Sequence, residues 1–448
     1  MSDMITIDAP PNDLEAYWMP MTPNRRFKKA PMFFSSAQGM HYAMPDGQRL
    51  LDAIAGLWCV NAGHCHPKVV EAIRAQAGKL DYASSFGVGH PQAFHYTNRL
   101  MEIAPAGFNH VFLAGSGSEA VDTALKIALA YQRARGEGHR QGLIGRQRSY
   151  HGMGFGGLSV SGIGWHRAQF GTLLPGVSHL PHTHDLARNA FSRGEPAHGV
   201  DFADALDALL AACDPSTVAA VIVEPVAGAG GVLPPPKGYL QRLRDICDRH
   251  GILLIFDEVV TGFGRLGAPF AAQALGVSPD LITCAKGMTN GAVPMGGVLV
   301  RDLVFDAMAQ GPEAGVELAH GYTYSGHPLA CAAALATLSV YAEEGLFARA
   351  ASLAPIWEDA LHSLRGAPHV RDIRNLGLLG AVEIESTADA PGARARKCAD
   401  VCFDHGVFVR ALGDTLVLSP PLIVEESQIG QIRDAIAAGL KEVARLGL

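Results

Sequence analysis

Short apolar runs of strand length alternate with helical patterns through the middle of the chain. The runs that favour strands lie at 110–114, 143–146, 177–180, 218–224, 252–257, 281–285 and 296–300, with helical periodicity between several of them, as at 237–250. This alternation indicates a mostly parallel sheet covered by helices. The pattern therefore predicts an α/β fold with a large domain built on a mostly parallel seven-stranded sheet.

The two ends of the chain follow a different pattern. Residues 39–44 and 49–52 flank a turn at 45–48 that contains Gly47, which predicts a β-hairpin. After about residue 330 a long helical stretch, 328–344, leads to shorter strands that include 378–384 and 407–410. We therefore predict an N-terminal arm and part of a small domain in residues 1–75, a large domain in 76–330, and the rest of the smaller α/β domain in 331–448.

Composition and charge narrow the class of protein. Hydrophobic residues make up 48% of the 448 positions, charged residues 18%, and the net charge is −7 with no long basic run. A nucleic-acid or acidic-membrane partner would favour a clustered basic surface, so neither is expected. The N-terminus carries Asp3, Asp8, Asp13 and Glu15 without an apolar signal region. No apolar run approaches the roughly 18 residues of a membrane span, and we expect a cytoplasmic enzyme.

The eight cysteines are scattered along the chain, which is typical of reduced thiols rather than of a disulfide framework. One cluster, Cys59, His64, Cys65 and His66, resembles a set of metal ligands. Adjacent ligands would have to splay apart, and no second pair of cysteines completes a zinc site. We therefore predict no metal.

Two of the apolar runs end at a single charged residue. Asp257 closes the run at 252–257, and Lys286 follows the run at 281–285. Chemistry in open α/β sheets gathers beyond the carboxyl ends of the strands, so the two side chains could face one pocket. An amine that forms a Schiff base and a carboxylate that keeps a pyridine nitrogen protonated suit pyridoxal phosphate (PLP). The alternative is structural, because strand-end carboxylates often form salt bridges and most lysines are solvated.

A glycine-rich turn follows the first strand of the alternating region. Gly115-Ser116-Gly117-Ser118-Glu119-Ala120 opens a helix, and Ser116 and Glu119 have the spacing of a capping box. The N–H groups of such a helix start bind anions, so the turn predicts a phosphate site. The same letters fit the dinucleotide pattern, which leaves an NAD-dependent oxidoreductase as a rival. Neither a P-loop nor the nucleophile elbow of a serine hydrolase is present.

Several further motifs follow one another along the chain. In order they are Gly115–Ala120, Tyr150-His151-Gly152, Glu224-Pro225, Asp257-Glu258-Val259, Gly262-Phe263-Gly264-Arg265, Ala285-Lys286-Gly287 and His320–Pro328. This series resembles the class III aminotransferases, and within them the ω-amino acid:pyruvate aminotransferases, and the resemblance extends from Trp18 to Leu422. Their order and approximate spacing imply a PLP-dependent transferase of fold type I.

The resemblance implies roles for the residues in these motifs. Lys286 would bind the cofactor covalently and move the substrate proton, and Asp257 would pair with the pyridinium. Val259 would pack on one ring face and Tyr150 on the other, with His151 and Glu224 also at the cofactor. Ser116, Gly117 and Ser118 would hold the phosphate, and Thr323 would reach it from the second subunit of a homodimer. Whether dimers form tetramers is left open.

The resemblance also implies a substrate pocket. Trp58, Phe86 and Tyr150 would form its wall, with Leu57 and Trp18 nearby, and Arg410 would bind the carboxylate of pyruvate. We hypothesise that Arg410 swings out or pairs with Glu224 when the donor lacks that carboxylate. The expected reaction is amino transfer from an ω-amino acid or primary amine to pyruvate. Alternatives are a 4-aminobutyrate or diamine transaminase, an aminomutase on the same scaffold, and the less favoured oxidoreductase.

Overall fold

A computed structural model describes residues 13–448, and residues 1–12, which include Asp3 and Asp8, lie outside the described part of the chain. The helices are α1 (Asn24–Lys29), α2 (Ala55–Trp58), α3 (Pro67–Ala77), α4 (Pro91–Met101), α5 (Gly117–Ala134), α6 (Phe155–Val160), α7 (Gly164–Arg167), α8 (Leu186–Asn189), α9 (Ala205–Cys213), α10 (Tyr239–His250), α11 (Ala271–Ala274), α12 (Asp302–Met308), α13 (Pro328–Glu343), α14 (Leu346–His362), α15 (Ala393–Asp404) and α16 (Glu426–Arg445). Short 3-10 turns lie at Val200–Asp204, Pro215–Thr217 and Lys286–Thr289.

The strands form three sheets. They are β1 (Ser36–Gln38), β2 (His41–Ala43), β3 (Arg49–Asp52), β4 (Phe108–Ala114), β5 (Gly142–Arg146), β6 (Val177–Leu180), β7 (Val218–Val223), β8 (Leu253–Asp257), β9 (Leu281–Ala285), β10 (Gly296–Arg301), β11 (Val370–Leu376), β12 (Leu379–Ile384), β13 (Val407–Phe408), β14 (Arg410–Leu412) and β15 (Thr415–Leu418).

The central sheet has seven strands in the order β4-β10-β9-β8-β7-β5-β6. Neighbours from β9 to β6 pair in parallel, and β10 is antiparallel to both β9 and β4. Its middle strands β7, β8 and β9 are buried at every residue, as expected of strands covered on both faces. The predicted α/β fold with a mostly parallel seven-stranded sheet is confirmed.

Two four-stranded sheets lie outside the central sheet. One has the order β1-β2-β3-β13 and joins strands from both ends of the chain, and the other has the order β11-β12-β15-β14. The predicted hairpin is confirmed, because β2 and β3 pair antiparallel around a turn in which Gly47 has a φ of +88°. The domain boundaries at 75 and 330 stay predictions.

One predicted strand is wrong in its extent. The run 407–410 divides at Val409, because Val407 and Phe408 pair in parallel with β3 while Arg410 pairs with Val417 of β15. Arg410 therefore begins a strand in the second small sheet instead of ending one. A period-2 pattern cannot show this division, since it carries no information about which partner each residue pairs with.

Helices cover the central sheet and complete its core. The buried residues of α5 and α10 pack on its strands, and α13 buries ten of its 16 residues, from Pro328 to Tyr341.

Among residues 13–448 no single helix is long and apolar enough to cross a membrane. One pair of helices, α13 with α14, passes the test of length and composition when the two are taken together, but the pair bends by 60° at its break.

Candidate active site

The carboxyl ends of five strands meet at one edge of the central sheet. β5, β7, β8 and β9 are parallel, and β4 runs the same way because both β4 and β9 are antiparallel to β10. The residues at or just beyond these ends are Gly115 after β4, Tyr150 after β5, Glu224 after β7, Asp257 in β8 and Lys286 after β9. The fold therefore collects side chains from five separate segments at the edge where α/β sheets bind ligands.

Asp257 is a buried carboxylate whose two oxygens are both held. Its Oδ2 lies 2.8 Å from His151 Nδ1, and its Oδ1 accepts from Thr283 Oγ1 at 3.0 Å and from the Val259 N–H at 3.1 Å. The side chain is 5% exposed. These three contacts fix the orientation of the carboxylate, so Asp257 is suited to holding a cation.

Lys286 lies beside this acid. In the register of β8 and β9, Asp257 is opposite Thr283, three residues before Lys286. Burial lowers the pKa of Lys286, and the nearby Cys59, Asp257 and Glu224 oppose that shift. A lowered pKa gives more neutral amine at a given pH, which is the nucleophilic form. The backbone φ of Lys286 is +51°, a strained conformation of a kind that persists at functional sites.

The first turn of α5 presents unused donors. Ser116 is the N-cap residue, and its Oγ accepts from the Glu119 N–H at 3.1 Å. Within residues 13–448 the N–H groups of Gly117 and Ser118 have no acceptor. The second half of the expected capping box differs, because the Glu119 carboxylate accepts from the Gly115 N–H at 2.6 Å instead of from Ser116. The donors left for an anion are therefore those of Gly117 and Ser118.

Close packing places this turn against the Lys286 strand. A Cβ on Gly117 would lie 3.0 Å and 3.1 Å from the two methyl carbons of Val259 and 3.4 Å from Ala285 Cβ. A Cβ on Gly296, at the start of β10, would lie 2.2 Å from the Ser116 carbonyl oxygen. We call the first turn of α5, with its N–H donors, the phosphate cradle. It depends on glycine, which has no side chain, at both positions. PLP fits this arrangement, because its phosphate suits the cradle donors, its aldehyde suits the Lys286 amine and its ring nitrogen suits the Asp257 carboxylate.

The segment 150–153 lies over the same turn. Ser118 Oγ accepts from the Met153 N–H at 3.2 Å, and a Cβ on Gly152 would lie 2.5 Å from that oxygen. His151 is 1% exposed. The pKa of Tyr150 is raised by burial and by Asp257 and Glu224. Tyr150 and His151 therefore lie on the Asp257 side of the site, and their contacts with the cofactor, including stacking of Tyr150 on a ring, stay predictions.

Glu224 has a structural set of partners. Its Oε1 accepts from the Tyr150 N–H at 2.9 Å and its Oε2 from the Gly228 N–H at 2.8 Å. Burial raises its pKa. Each oxygen accepts a backbone N–H group, and Arg410 is not among the partners of Glu224, so the hypothesised pair between Glu224 and Arg410 is not formed in this structure.

Trp58 lies directly against the lysine. The Lys286 Nζ is 5.6 Å from the centroid of the Trp58 ring, within the range of a cation–π contact. Trp58 is 5% exposed, whereas Leu57 is 42%, Phe86 63% and Trp18 87% exposed. Phe86 packs on Gly321, where a Cβ would lie 2.8 Å from its ring. The structure therefore brings Trp58 to the site, and pocket roles for Leu57, Phe86 and Trp18 stay predictions.

Arg410 faces the same side as Trp58. Its cross-strand partner Val417 is itself opposite Ala381, and residues opposite each other in a sheet share a face. Val417 and Ala381 belong to one apolar cluster with Trp58. Arg410 is reached by solvent, yet desolvation by the surrounding protein lowers its pKa, a combination expected in an open cleft. Among residues 13–448 it has no ion-pair partner.

Thr323 lies in the loop that follows α12. Its carbonyl oxygen accepts from Tyr82 Oη at 3.0 Å, and the neighbouring Tyr322 donates from Oη to the Glu119 carbonyl in the first turn of α5 at 3.4 Å. Whether its hydroxyl serves a partner subunit stays a prediction.

Sequence reasoning assigned no role to two groups that hold the site. Thr283 donates a hydrogen bond to Asp257. The signal that could have indicated this role is a polar residue inside a strand that is fully buried. Arg265 is fully buried, burial lowers its pKa to about 10, and its guanidinium donates to Asn61 Oδ1 at 2.5 Å and to the Pro420 carbonyl at 2.6 Å. A Cβ on Gly287 would lie 2.6 Å from Asn61 Nδ2, so this group packs against the residue after Lys286.

The cysteine–histidine cluster has other partners. His64 Nε2 lies 2.8 Å from Asp52 and His66 Nε2 lies 2.9 Å from Glu344. In the described part of the chain, His184, Asp372 and Glu383 form a group with metal-compatible spacing. The Arg374 guanidinium already pairs with both carboxylates at 2.6 Å, which makes this group a salt-bridge cluster.

The family model for class-III aminotransferases matches residues 22–440. The ω-aminotransferase of Caulobacter vibrioides is 58% identical over 432 residues, which cover 96% of this chain and 98% of that protein. The β-alanine–pyruvate aminotransferase of Pseudomonas aeruginosa is 45% identical over 435 residues, covering 96% and 97%. The chain belongs to the class-III aminotransferases.

Solved structures agree with this assignment. An amine transaminase from an uncultivated Pseudomonas species, determined in its PLP-bound form, has a TM-score of 0.90 and 38% identity, covering 96% of this chain and 100% of that one. A thermostable ω-transaminase variant engineered for the synthesis of bulky amines has a TM-score of 0.91 and 31% identity. The protein is thus a PLP-dependent aminotransferase of fold type I, and the oxidoreductase reading of the glycine-rich turn falls away.

Proposed function

We propose that the enzyme transfers an amino group from an ω-amino acid of the β-alanine type, or from a primary amine, to pyruvate to give L-alanine. The observation that carries the proposal is Arg410, a solvent-reached guanidinium on the sheet face that packs around Trp58. A guanidinium binds a carboxylate through two parallel N–H···O bonds, which fixes the orientation of a small keto acid. The names of the two curated relatives reported above support an ω-amine donor.

The bound cofactor would supply an electron sink for the carbon that bears the donor nitrogen. Lys286 would hold the cofactor through its Nζ, and Asp257 would keep the ring nitrogen cationic. In its neutral form the Lys286 Nζ would also take the proton from that carbon. The lowered pKa of Lys286 supports this role, since general bases work best with a pKa near the operating pH.

The rest of the site positions the reactants. The N–H groups of Gly117 and Ser118 would hold the phosphate at the positive end of α5. Trp58 would exclude water from the Lys286 amine and limit the size of one substituent of the donor. Val259, which Gly117 contacts closely, would pack on one face of the ring and Tyr150 on the other.

We further propose a homodimer with a shared active site. Large apolar side chains are exposed on the segments around the site, among them Phe86 at 63%, Phe94 at 67%, Phe155 at 67% and Trp165 at 67%. Apolar patches of this kind are typical of an interface with another copy. The proposal places the Thr323 hydroxyl of one subunit at the phosphate of the other.

The test compares two amino acceptors in the wild type and in Arg410→Ala. For pyruvate we expect kcat/KM to fall about a hundredfold, which corresponds to roughly 3 kcal/mol for a lost charge-assisted contact. For a neutral aldehyde acceptor it should change little. An equal fall for both acceptors would contradict the carboxylate role. A panel of β-alanine, 4-aminobutyrate, taurine, putrescine and a chiral aryl amine identifies the donor, and failure to release free alanine would favour an aminomutase.

A further inference from the structure

The loop that carries Trp58 has an unusual backbone. Within α2 the φ angles of Ala55, Gly56 and Trp58 are +48°, +68° and +59°. Only glycine adopts this region without a steric penalty, so two side-chain residues here are strained. Strained conformations persist only where the surrounding structure enforces them. The contacts of this loop therefore show which groups enforce it.

Asp52 makes the contacts that hold the near end of the loop. Its Oδ1 accepts from the Ile54 N–H at 2.9 Å, and its Oδ2 accepts from the Gly56 N–H at 2.6 Å and lies 2.8 Å from His64 Nε2. The carboxylate is 0% exposed. Its partners are one backbone donor just before the strained segment, one within it and one side chain beyond it, so Asp52 joins both sides of the loop.

The far end of the loop is held by other groups. Asn290 accepts from the Ala62 N–H at 2.8 Å and donates to the Gly63 carbonyl at 2.8 Å, and Asn61 binds Arg265. These contacts begin after Cys59. Within the segment from Ile54 to Trp58, Cys59 Sγ donates to the Leu57 carbonyl at 3.1 Å, and Asp52 is the side chain that accepts from the backbone N–H groups, those of Ile54 and Gly56.

What Asp52 positions is the wall of the active site. Trp58 packs with Ile54, Val226 and Val417 in one cluster, and its ring lies 5.6 Å from the Lys286 Nζ. Its indole Nε1 is buried and has no acceptor within residues 13–448. The ring is therefore kept in place by packing and by the backbone beneath it, with no hydrogen bond of its own.

We propose that Asp52 is a specificity-determining positioning residue, which holds Trp58 over Lys286 by fixing the strained loop and so sets the size of donor substituent that the enzyme accepts. Asp52 is fully buried, and in this proposal it acts through Trp58. This inference rests on the proposed function for its choice of substrates. Its structural half, the restraint of residues 53–60, does not depend on which donor is used.

The experiment uses Asp52→Asn in the cofactor-loaded enzyme. An amide keeps one acceptor and presents an N–H group to the other backbone donor, so one of the two loop bonds is lost. We expect hydrogen–deuterium exchange in residues 53–60 to increase while exchange in the central sheet stays as in wild type. The ratio of kcat/KM for β-alanine to that for a bulky aryl amine should fall about tenfold, the usual scale for a change in pocket size.

Asp46→Asn is the matched control. Asp46 also accepts from a backbone N–H two residues on, that of Gln48 at 3.0 Å, but it lies in the exposed hairpin turn. The Asp46→Asn variant should leave unchanged both the hydrogen–deuterium exchange of residues 53–60 and the ratio of kcat/KM for the two donors. Gly56→Ala is a second test that leaves Asp52 intact, because its Cβ would lie 3.2 Å from Tyr42 Oη at a φ of +68°. We expect it to shift the donor ratio in the same direction.

Two results would overturn the proposal. One is an equal loss of kcat/KM for small and bulky donors in both Asp52→Asn and Gly56→Ala, which would mean a general structural role. The other is unchanged exchange at 53–60 in Asp52→Asn. If the wild type transfers no amino group to pyruvate, the proposed function fails, and the exchange measurement still decides the role of Asp52 in the loop.

Discussion

Lys286 has features that lower the stability of the folded protein and at the same time suit its amine to act as a nucleophile. Its amine is desolvated, its backbone φ is +51°, and the buried Arg265 is among the charges that lower its pKa. Such residues cost stability and are retained where a site needs them. The balance between stability and function at this residue can be measured directly.

The first prediction concerns Lys286→Met, compared with wild type in the cofactor-free protein. The folded-state pKa of Lys286 lies below its ordinary 10.5, so between these values the unfolded chain binds a proton that the folded chain does not. Wild-type stability therefore rises with pH in that window, and the penalty is fully present below it. We expect Lys286→Met to be more stable than wild type near pH 7, because methionine carries no amine to desolvate, and to lose turnover.

Urea unfolding at two pH values checks this prediction. The advantage of the variant should shrink as the pH approaches the ordinary lysine value. If the variant were more stable than wild type by the same amount at both pH values, the difference would come from packing and not from the charge of Lys286. The predicted loss of turnover is independent, and turnover at the wild-type rate would exclude Lys286 as the cofactor lysine.

At the scale of elements, the strand ends and one helix start define the site. The predicted strand at 281–285 coincides with β9 because a short, mostly apolar stretch bounded by turns is a local signal, and the predicted strand at 177–180 coincides with β6. The start of α5 was likewise predictable from Ser116. The partner of Glu119 was not, because the choice between adjacent N–H groups depends on how the preceding strand enters the helix.

The second prediction, which belongs to the scale of elements, concerns Gly117→Ala. An added Cβ would press on Val259 at 3.0 Å and move the first turn of α5 relative to β9. We expect cofactor affinity to fall about tenfold, or roughly 1.4 kcal/mol. The fold should be retained, since alanine favours a helix more than glycine does.

Gly430→Ala is the control for this change. Gly430 also lies in a helix, α16, but a Cβ there meets nothing within 4 Å. It should raise stability by roughly 0.5–1 kcal/mol and leave cofactor binding unchanged. Fluorescence titration of the cofactor-free proteins with PLP measures the affinities. Equal cofactor affinities for the two variants would show that the first turn of α5 does not bind the cofactor.

At the scale of the whole molecule, the site depends on contacts between distant segments. The motif order predicted Asp257 and Lys286, and strand-end logic predicted that they share an edge. Two other features depend on how loops and sheets pack together. They are the hydrogen bonds of Asp52 and the strand register that pairs Arg410 with Val417. Periodicity carries no information about such packing, so neither could be read from the pattern of the sequence.

The last prediction tests the shared site by mixing two damaged chains. Lys286→Ala removes the amine, and Thr323→Asp places a carboxylate where the phosphate would lie, so each homodimer should be nearly inactive. If Thr323 acts across the interface, a mixed dimer contains one site with an intact Lys286 that receives the normal Thr323 of its partner. That site should turn over, and copurified dimers carrying two different tags would show it.

The same mixture also distinguishes action within one chain. If Thr323 served its own subunit, every site in the mixed dimer would carry one of the two defects, and activity would stay at the level of the homodimers. Tyr322, which reaches Glu119 in its own chain, makes this alternative concrete. Recovery of activity would therefore establish both the dimer and the direction in which the 320–328 loop acts, because a monomeric enzyme offers no route by which one chain could repair the other.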